Sequence, residues 1–181
     1  MYKINSPFVL WFTGMSGAGK TTLTTVCTSV LCHDVEILDG DLLRAMLPQK
    51  LGFSVEDRTL HMLRVGALAL DFFRQGKIVL VALISPLKEI RDEIRLNFPK
   101  GQFLEVYCQC DFKVLVDRDT KGLYAKALAG EIKNFTGIDS PYEPPDFPEI
   151  LVHTAYQTIE ESTDIIFREL EICSLVTKKG C

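Results

Sequence analysis

The chain of 181 residues has six cysteines but no pair spaced C-x-x-C. Cys27, Cys32, Cys108, Cys110, Cys173 and Cys181 also form no second cluster with zinc-ligand spacing, which argues against a zinc ribbon and a thioredoxin-like redox pair. Unlinked thiols fit a reducing compartment, so the protein is expected in the cytoplasm. Histidine is scarce: His33, His61 and His153 are scattered, a poor basis for a histidine metal site. Long apolar runs are missing too. Phe8–Phe12 lacks a basic lead and runs into a glycine loop, unlike a signal peptide. Ile78–Ile84 falls far short of the roughly 20 residues that cross a bilayer. There is no basic excess, since 20 Lys and Arg face 24 Asp and Glu for a net charge of -4. That balance points away from nucleic acid and anionic membranes as partners, but leaves room for a basic pocket that takes a phosphate ligand. No internal repeat and no low-complexity segment is present. What remains is an average globular composition, 47% apolar and 24% charged, expected to fold as one domain over 1–181.

Apolar runs alternate with helical patterns along the whole chain. Strands are expected at Phe8–Thr13, Val35–Leu38, Ile78–Ile84, Phe103–Cys108 and Ile150–His153. Several are continuously apolar, as strands buried on both faces are. Leu23, Val26, Cys27, Val30 and Leu31 recur at helical spacing, and Leu60, Leu63, Ala67 and Leu70 carry the next stripe. Ser54 with Asp57 reads as a helix start. Thr154 with Gln157 reads as the capping box of the last helix, with Ile159, Ile166 and Leu170 facing inward. This alternation predicts an α/β fold, a mostly parallel sheet with helices on both faces, whose ligands sit beyond the carboxyl ends of the strands. Gly130–Glu149, with Pro141, Pro144, Pro145 and Pro148, breaks the rhythm and reads as a lid or substrate loop; an ordered surface excursion is the plainer alternative. The tail Lys178–Cys181 is expected to fray.

Gly14-Met15-Ser16-Gly17-Ala18-Gly19-Lys20-Thr21 fits G-x-x-x-x-G-K-[ST] at every fixed position. It lies between an expected strand and the helix Thr21–Cys32, the context the motif requires. Glycines let the backbone wrap closely around phosphate oxygens, and the wrapped N–H groups with the helix N-terminus make an anion cradle. Lys20 adds a point charge at the β- and γ-phosphates, and the Thr21 hydroxyl is a ligand for Mg²⁺. The motif fixes a nucleoside triphosphate but not a reaction.

Asp39 ends the second main strand beside this loop, where a carboxylate orients Mg²⁺ or takes a proton from an attacking hydroxyl. Asp41 stands where the helix Leu42–Met46 wants an N-cap, so a chemical and a capping reading compete. Arg44, Arg58, Lys121 and Lys133 fall near strand-to-helix turns or in the long loop, where they either rim an anion site or are simply solvated. Phe53 and Phe135 lie in segments read as loops, suited either to stacking a base or to core packing. Ser85 and Pro86 after Ile84 read as an N-cap and first helical residue, at an edge that also suits an anionic substrate group; a phosphorylated Ser85 is a third alternative. No motif in the sequence supports oxidant sensing by Cys108 or Cys181.

Together these residues resemble the adenylylsulfate kinase family. The resemblance runs through Trp11–Leu23 with Thr22, Leu38-Asp39-Gly40-Asp41 with Arg44, Leu51-Gly52-Phe53-Ser54 with Arg58, and Ile84-Ser85-Pro86. It continues through Arg118-Asp119 with Lys121-Gly122-Leu123-Tyr124, and through Gly130–Asp139 with Lys133 and Phe135. It implies a P-loop kinase fold, often a homodimer, that uses MgATP to convert adenosine 5′-phosphosulfate to its 3′-phosphorylated form. It further implies that residues 14–22 and Arg118 bind ATP, with Arg118 near its adenine. Arg44 and Arg58 would hold the phosphosulfate, and Phe53 and Phe135 would sandwich the acceptor base. Ser85, between Ile84 and Pro86, would line the acceptor site, with Asp41, Lys121, Gly122, Leu123 and Lys133 nearby. Leu42, Leu63 and Thr120 depart from the family pattern. So does His61, which stands where an asparagine commonly binds the acceptor; an imidazole there is expected to make affinity depend on pH near neutrality. The chain starts close to its first strand and is expected to lack the N-terminal extension of some relatives and a fused sulfurylase domain. Two other readings are a kinase for another small hydroxylated acceptor, such as a sugar acid or a shikimate-like compound, and a nucleotide-binding regulatory module with little turnover.

Overall fold

A computed structural model describes residues 2–31, 34–46 and 51–178. Five parallel strands form the central sheet: β2 (Val9–Thr13), β3 (Val35–Asp39), β4 (Ile78–Ala82), β5 (Phe103–Gln109) and β6 (Ile150–His153), in the order β3-β4-β2-β5-β6. A small antiparallel pair, β1 (Tyr2–Ile4) with β7 (Val176–Lys178), ties the two ends of the chain together. The helices are α1 (Lys20–Leu31), α2 (Gly40–Met46), α3 (Val55–Arg74), α4 (Lys88–Arg95), α5 (Phe112–Arg118), α6 (Leu123–Leu128) and α7 (Ile159–Ile172). This is the α/β architecture that the alternation predicts, with each expected strand within two residues of its observed ends. Cys32, where α1 was expected to end, lies outside the described residues, as does His33. Of the tail expected to fray, Lys178 is instead held in β7 opposite Tyr2, and residues 179–181, Cys181 among them, lie outside the described residues.

The central strands separate two cores. On β2, Leu10 and Phe12 face a cluster that includes Leu23, Cys27 and Leu31 of α1 and Ile166 and Leu170 of α7. Val9 and Trp11 face Met62, Val65, Ala69 and Phe73 of α3 and Ile94 of α4. Side-chain alternation on a strand buried from both sides produces this division. All five residues of β2 and of β4 are buried, and truncating one such Leu or Val side chain to Ala costs about 2–5 kcal/mol.

Several helix details differ from expectation. α3 buries Arg58, His61, Met62, Val65, Gly66, Ala69 and Phe73. Of the expected stripe, Leu60 and Ala67 are exposed while Leu63 and Leu70 pack only partly. This helix is apolar on most of its circumference, so periodicity alone did not select a face. Packing did: a Cβ on Gly66 would lie 2.9 Å from Ile94, so glycine there admits α4. The capping box of α7 is Thr158 with Glu161, four residues after the expected pair. Thr154 and Gln157 satisfy the same pattern but close a turn instead, with the His153 amide donating to Gln157 Oε1 at 2.7 Å. Ile159 is 48% exposed, whereas Ile166 and Leu170 do face inward. The Ser54 cap is as expected, accepting from the Asp57 amide at 3.1 Å.

Candidate active site

The carboxyl ends of β2, β3 and β4 open onto a cavity of about 560 Å³. The phosphate loop forms its floor. Gly14, Gly17 and Gly19 all have positive φ, and a Cβ on Gly14 would lie 2.7 Å from the Cys108 carbonyl. Only glycine supports this path, which turns successive amides toward one centre. Lys20 folds back over the loop, donating to the Gly14 carbonyl at 2.8 Å and the Met15 carbonyl at 2.7 Å. Burial pushes its ammonium down to about 8. The free protein therefore holds a cation with no carboxylate bonded to it, waiting for an anion.

Asp39 joins two parts of the site. Its Oδ2 accepts from Thr21 Oγ1 at 3.0 Å, and its Oδ1 accepts from the amides of Asp41 at 2.9 Å and Leu42 at 3.2 Å. Asp39, rather than the expected Asp41, therefore caps α2, because the helix begins two residues earlier than expected, at Gly40. Asp41 is exposed and ion-paired with Lys121 at 2.5 Å. Thr21 and Asp39 supply adjacent hard oxygens at the foot of the phosphate loop, a set that fits Mg²⁺ arriving with nucleotide phosphates. Among the described residues no group of three or more His, Cys, Asp or Glu could hold a metal alone.

The far side of the cavity is basic and aromatic. Arg44 donates to the Gly52 carbonyl at 2.6 Å, and its guanidinium lies 4.8 Å from the Phe53 ring centre. Arg58 approaches the same ring at 5.4 Å. It also donates to the carbonyls of Phe53 at 3.1 Å and Asn134 at 2.7 Å, which ties the start of α3 to the long loop. Desolvation lowers the pKa of both arginines, and at Arg58 the Arg44 charge adds to it. Phe53 is half exposed, whereas Phe135 is 9% exposed and packs edge-on against Tyr124 at 5.0 Å. Phe135 thus packs against the core, one of its two sequence readings, and also lines the cavity. Five cationic side chains and two carboxylates line the cavity of a chain whose net charge is -4.

His61 is 2% exposed and lies 3.1 Å from the Gly40 carbonyl through Nε2. Desolvation first, then the Arg44 charge, pushes its pKa down. Its titration therefore lies on the acid side of the ordinary histidine range, not near neutrality as expected. Ser85 also differs: it has φ 47 and is fully buried, its Oγ accepting from Trp11 Nε1 at 2.9 Å. α4 begins only at Lys88, so Ser85 does not cap it and Pro86 is not its first residue.

Of the residues singled out in the sequence, Ser16, Gly17, Gly19, Lys20, Thr21, Thr22, Asp39, Asp41, Arg44, Phe53, Arg58 and His61 line the cavity, and so do Ile84, Ser85, Pro86, Lys121, Leu123, Lys133 and Phe135. Gly14, Met15 and Ala18 of the phosphate loop, together with Gly122 and Arg118, are outside the lining. Arg118 donates to the Thr154 carbonyl at 2.6 Å, with Thr154 beside Gly19 at the outer edge of the phosphate loop. Sequence reading missed Met62, Ile132, Asn134 and Thr136, which flank recognised positions and line the same space.

A parallel sheet of this order, a phosphate loop between its central strand and α1, and a facing basic and aromatic wall define a P-loop small-molecule kinase. The family model described as adenylylsulphate kinase matches residues 6–153. The chain is 48% identical to the adenylyl-sulfate kinase of Rippkaea orientalis over 172 residues, covering 93% of this chain and 94% of the relative. It is 51% identical over 178 residues to a probable bifunctional SAT/APS kinase 2 of Sorangium cellulosum, covering 97% of this chain but only 30% of that longer relative. A solved Mycobacterium tuberculosis APS kinase CysC, in complex with AMPPNP and APS, superposes with a TM-score of 0.86 at 38% identity, covering 92% of this chain and 98% of that one. The chain belongs to the adenylylsulphate kinase family.

Proposed function

We propose that the protein transfers the γ-phosphoryl group of ATP to the 3′-hydroxyl of adenosine 5′-phosphosulfate. The bond between Pγ and its bridging oxygen breaks, a Pγ–O3′ bond forms, and the hydroxyl proton passes to Asp39 or to solvent. The observation that carries this reading is the pairing, in one cavity, of the phosphate loop with a wall of Arg44, Arg58, Phe53 and Phe135. A wall of cations around aromatic rings suits an acceptor with both an anionic end and a base. Sugar acids and shikimate-like compounds offer no base to stack.

The phosphate-loop amides and Lys20 hold the polyphosphate and stabilise charge on the transferring group. Asp39 aims the acceptor hydroxyl. Mg²⁺, held by Thr21 and Asp39, would neutralise charge on the phosphate oxygens when bound. Arg44 and Arg58 grip the phosphosulfate, and Phe53 and Phe135 clamp its base, with Asp41, His61, Ile84, Ser85, Pro86, Lys121, Leu123 and Lys133 shaping the acceptor side. Arg118 borders the ATP base. The 130–149 segment acts as the substrate loop: Ile132–Thr136 line the cavity, and Gly137 sits so close to Met15 that a Cβ there would lie 2.5 Å from its sulfur. The reaction is placed in the cytoplasm, consistent with free thiols at Cys27, Cys108, Cys110 and Cys173. No helix among the described residues is long and apolar enough to cross a membrane.

A coupled assay for ADP, run with MgATP and adenosine 5′-phosphosulfate and then with gluconate or shikimate, tests this reading. Turnover confined to the phosphosulfate is expected. Turnover with another acceptor alone, or tight ATP binding without turnover, would replace it with one of the two rival readings.

A further inference from the structure

We infer that Arg91, which lies outside the cavity lining, is a positioning residue that sets the Ile84–Pro86 wall of the acceptor site. Arg91 is 1% exposed on α4 and makes two hydrogen bonds and one ion pair. Its Nη1 donates to the Ser85 carbonyl at 2.6 Å, its Nη2 donates to the Glu143 carbonyl at 2.8 Å, and its Nε pairs with Glu105 at 2.6 Å. One planar guanidinium therefore joins the strained turn after β4, the rear of the 130–149 loop and the middle of β5.

The surroundings show why the bridge matters. Ser85 sits at φ 47, which a residue with a side chain adopts only when its surroundings impose it. Trp11 Nε1 holds the Ser85 hydroxyl, and Thr13 Oγ1 donates to the Ile84 carbonyl at 2.8 Å. From the other side, the Glu143 amide donates to the Pro86 carbonyl at 2.8 Å, while the Glu143 carboxylate accepts from the Lys88 amide at 2.7 Å and so caps α4. Among the described residues, Arg91 is the one side chain bonded to both Ser85 and Glu143. A lysine keeps the charge facing Glu105 but lacks the planar fork that reaches two carbonyls at once. Arg95 is the natural control. It pairs with Glu105 at 3.1 Å and with Glu149, yet bonds neither Ser85 nor Glu143.

This inference rests on the proposed function for its kinetic readout but not for its spectroscopic one. Trp11 is the only tryptophan in the chain, so its indole N–H gives a single, self-assigning cross-peak in a ¹⁵N-correlated spectrum. In the unliganded protein, Arg91→Lys is expected to shift that peak as Ser85 relaxes, whereas Arg95→Lys leaves it in place. In steady-state kinetics, Arg91→Lys is expected to raise the acceptor KM about tenfold or more and leave the ATP KM within about twofold, with Arg95→Lys changing neither. Because removing one member of a buried ion pair can prevent folding, the double variant Arg91→Met with Glu105→Gln removes both charges together and serves as the second test. A folded double variant with wild-type acceptor KM, an unmoved indole peak in Arg91→Lys, or equal rises in both KM values would overturn the inference. Wild-type protein that makes no product from the phosphosulfate would sink the proposed function and still leave the indole comparison decisive for Arg91.

Discussion

Raising the pH from 7 to 9 should weaken ATP binding through Lys20 alone. The side chain is buried against two carbonyls, and desolvation lowers its pKa from 10.5 to about 8 in the free protein. At pH 9 about nine in ten free molecules would then carry a neutral Lys20, against about one in ten at pH 7. A bound polyphosphate restores the ammonium to its ordinary pKa or above. Binding at pH 9 therefore takes up about 0.9 proton, and the apparent affinity falls about tenfold from its low-pH limit, or about 1.4 kcal/mol. The sign for stability is opposite. The folded pKa is depressed, so between about 8 and 10.5 the unfolded chain binds a proton that the folded one does not, and the unliganded protein gains stability as pH rises through that window. Titration calorimetry at pH 7.5, 8.5 and 9.5, in buffer pairs of different ionisation enthalpy, reads both the affinity and the proton uptake. Working above pH 7.5 keeps the phosphate's own titration out of the range. Flat affinity with no proton uptake would show that Lys20 is already fully charged in the free protein, against the lowering of its pKa by burial.

Asp39→Asn should lower kcat by about 10²-fold or more while barely changing Tm, because the amide oxygen still accepts the helix amides; unchanged kcat would remove Asp39 as base or orienter. Asp41→Asn, by contrast, breaks only an exposed ion pair worth at most about 1 kcal/mol, so a large fall in Tm would contradict the capping geometry described for α2. Phe53→Ala should raise the acceptor KM by about 5- to 150-fold, the range of one base–aromatic stack, without altering ATP affinity as read by calorimetry. For His61 the lowered pKa predicts a flat acceptor KM between pH 7 and 8 and a loss of stability only as pH falls below the ordinary histidine range; an inflection at neutrality would show that the imidazole is wetter than its 2% exposure implies.

The features legible in the sequence were those carried by a short stretch of chain. The phosphate loop is a single octapeptide between a strand and a helix, and β2 and β4 are continuous apolar runs buried at every residue. The Ser54 cap is a local bond over three residues. Features that depend on distant partners were not legible. α3 has apolar residues around most of its surface, and packing against Val9 and Trp11 of the sheet and against Ile94 of α4 chooses its inner face. Thr154 and Thr158 both head a plausible capping box, and the turn after β6 decides between them. Ser85 looks like an ordinary cap before proline until Trp11 and Arg91 take hold of its hydroxyl and carbonyl. Arg91 and Glu105 carry no motif at all. They become conspicuous only when α4 is laid over the face of the sheet where Glu105 pairs in register with Trp11.

Phosphorus NMR of the reaction mixture tests the central claim most directly. With MgATP and adenosine 5′-phosphosulfate as the only substrates, the γ-phosphorus signal should give way to one new phosphomonoester coupled to the ribose H3′, in step with ADP. A new signal from free inorganic phosphate, or from a phosphoryl group at any other position, would contradict it.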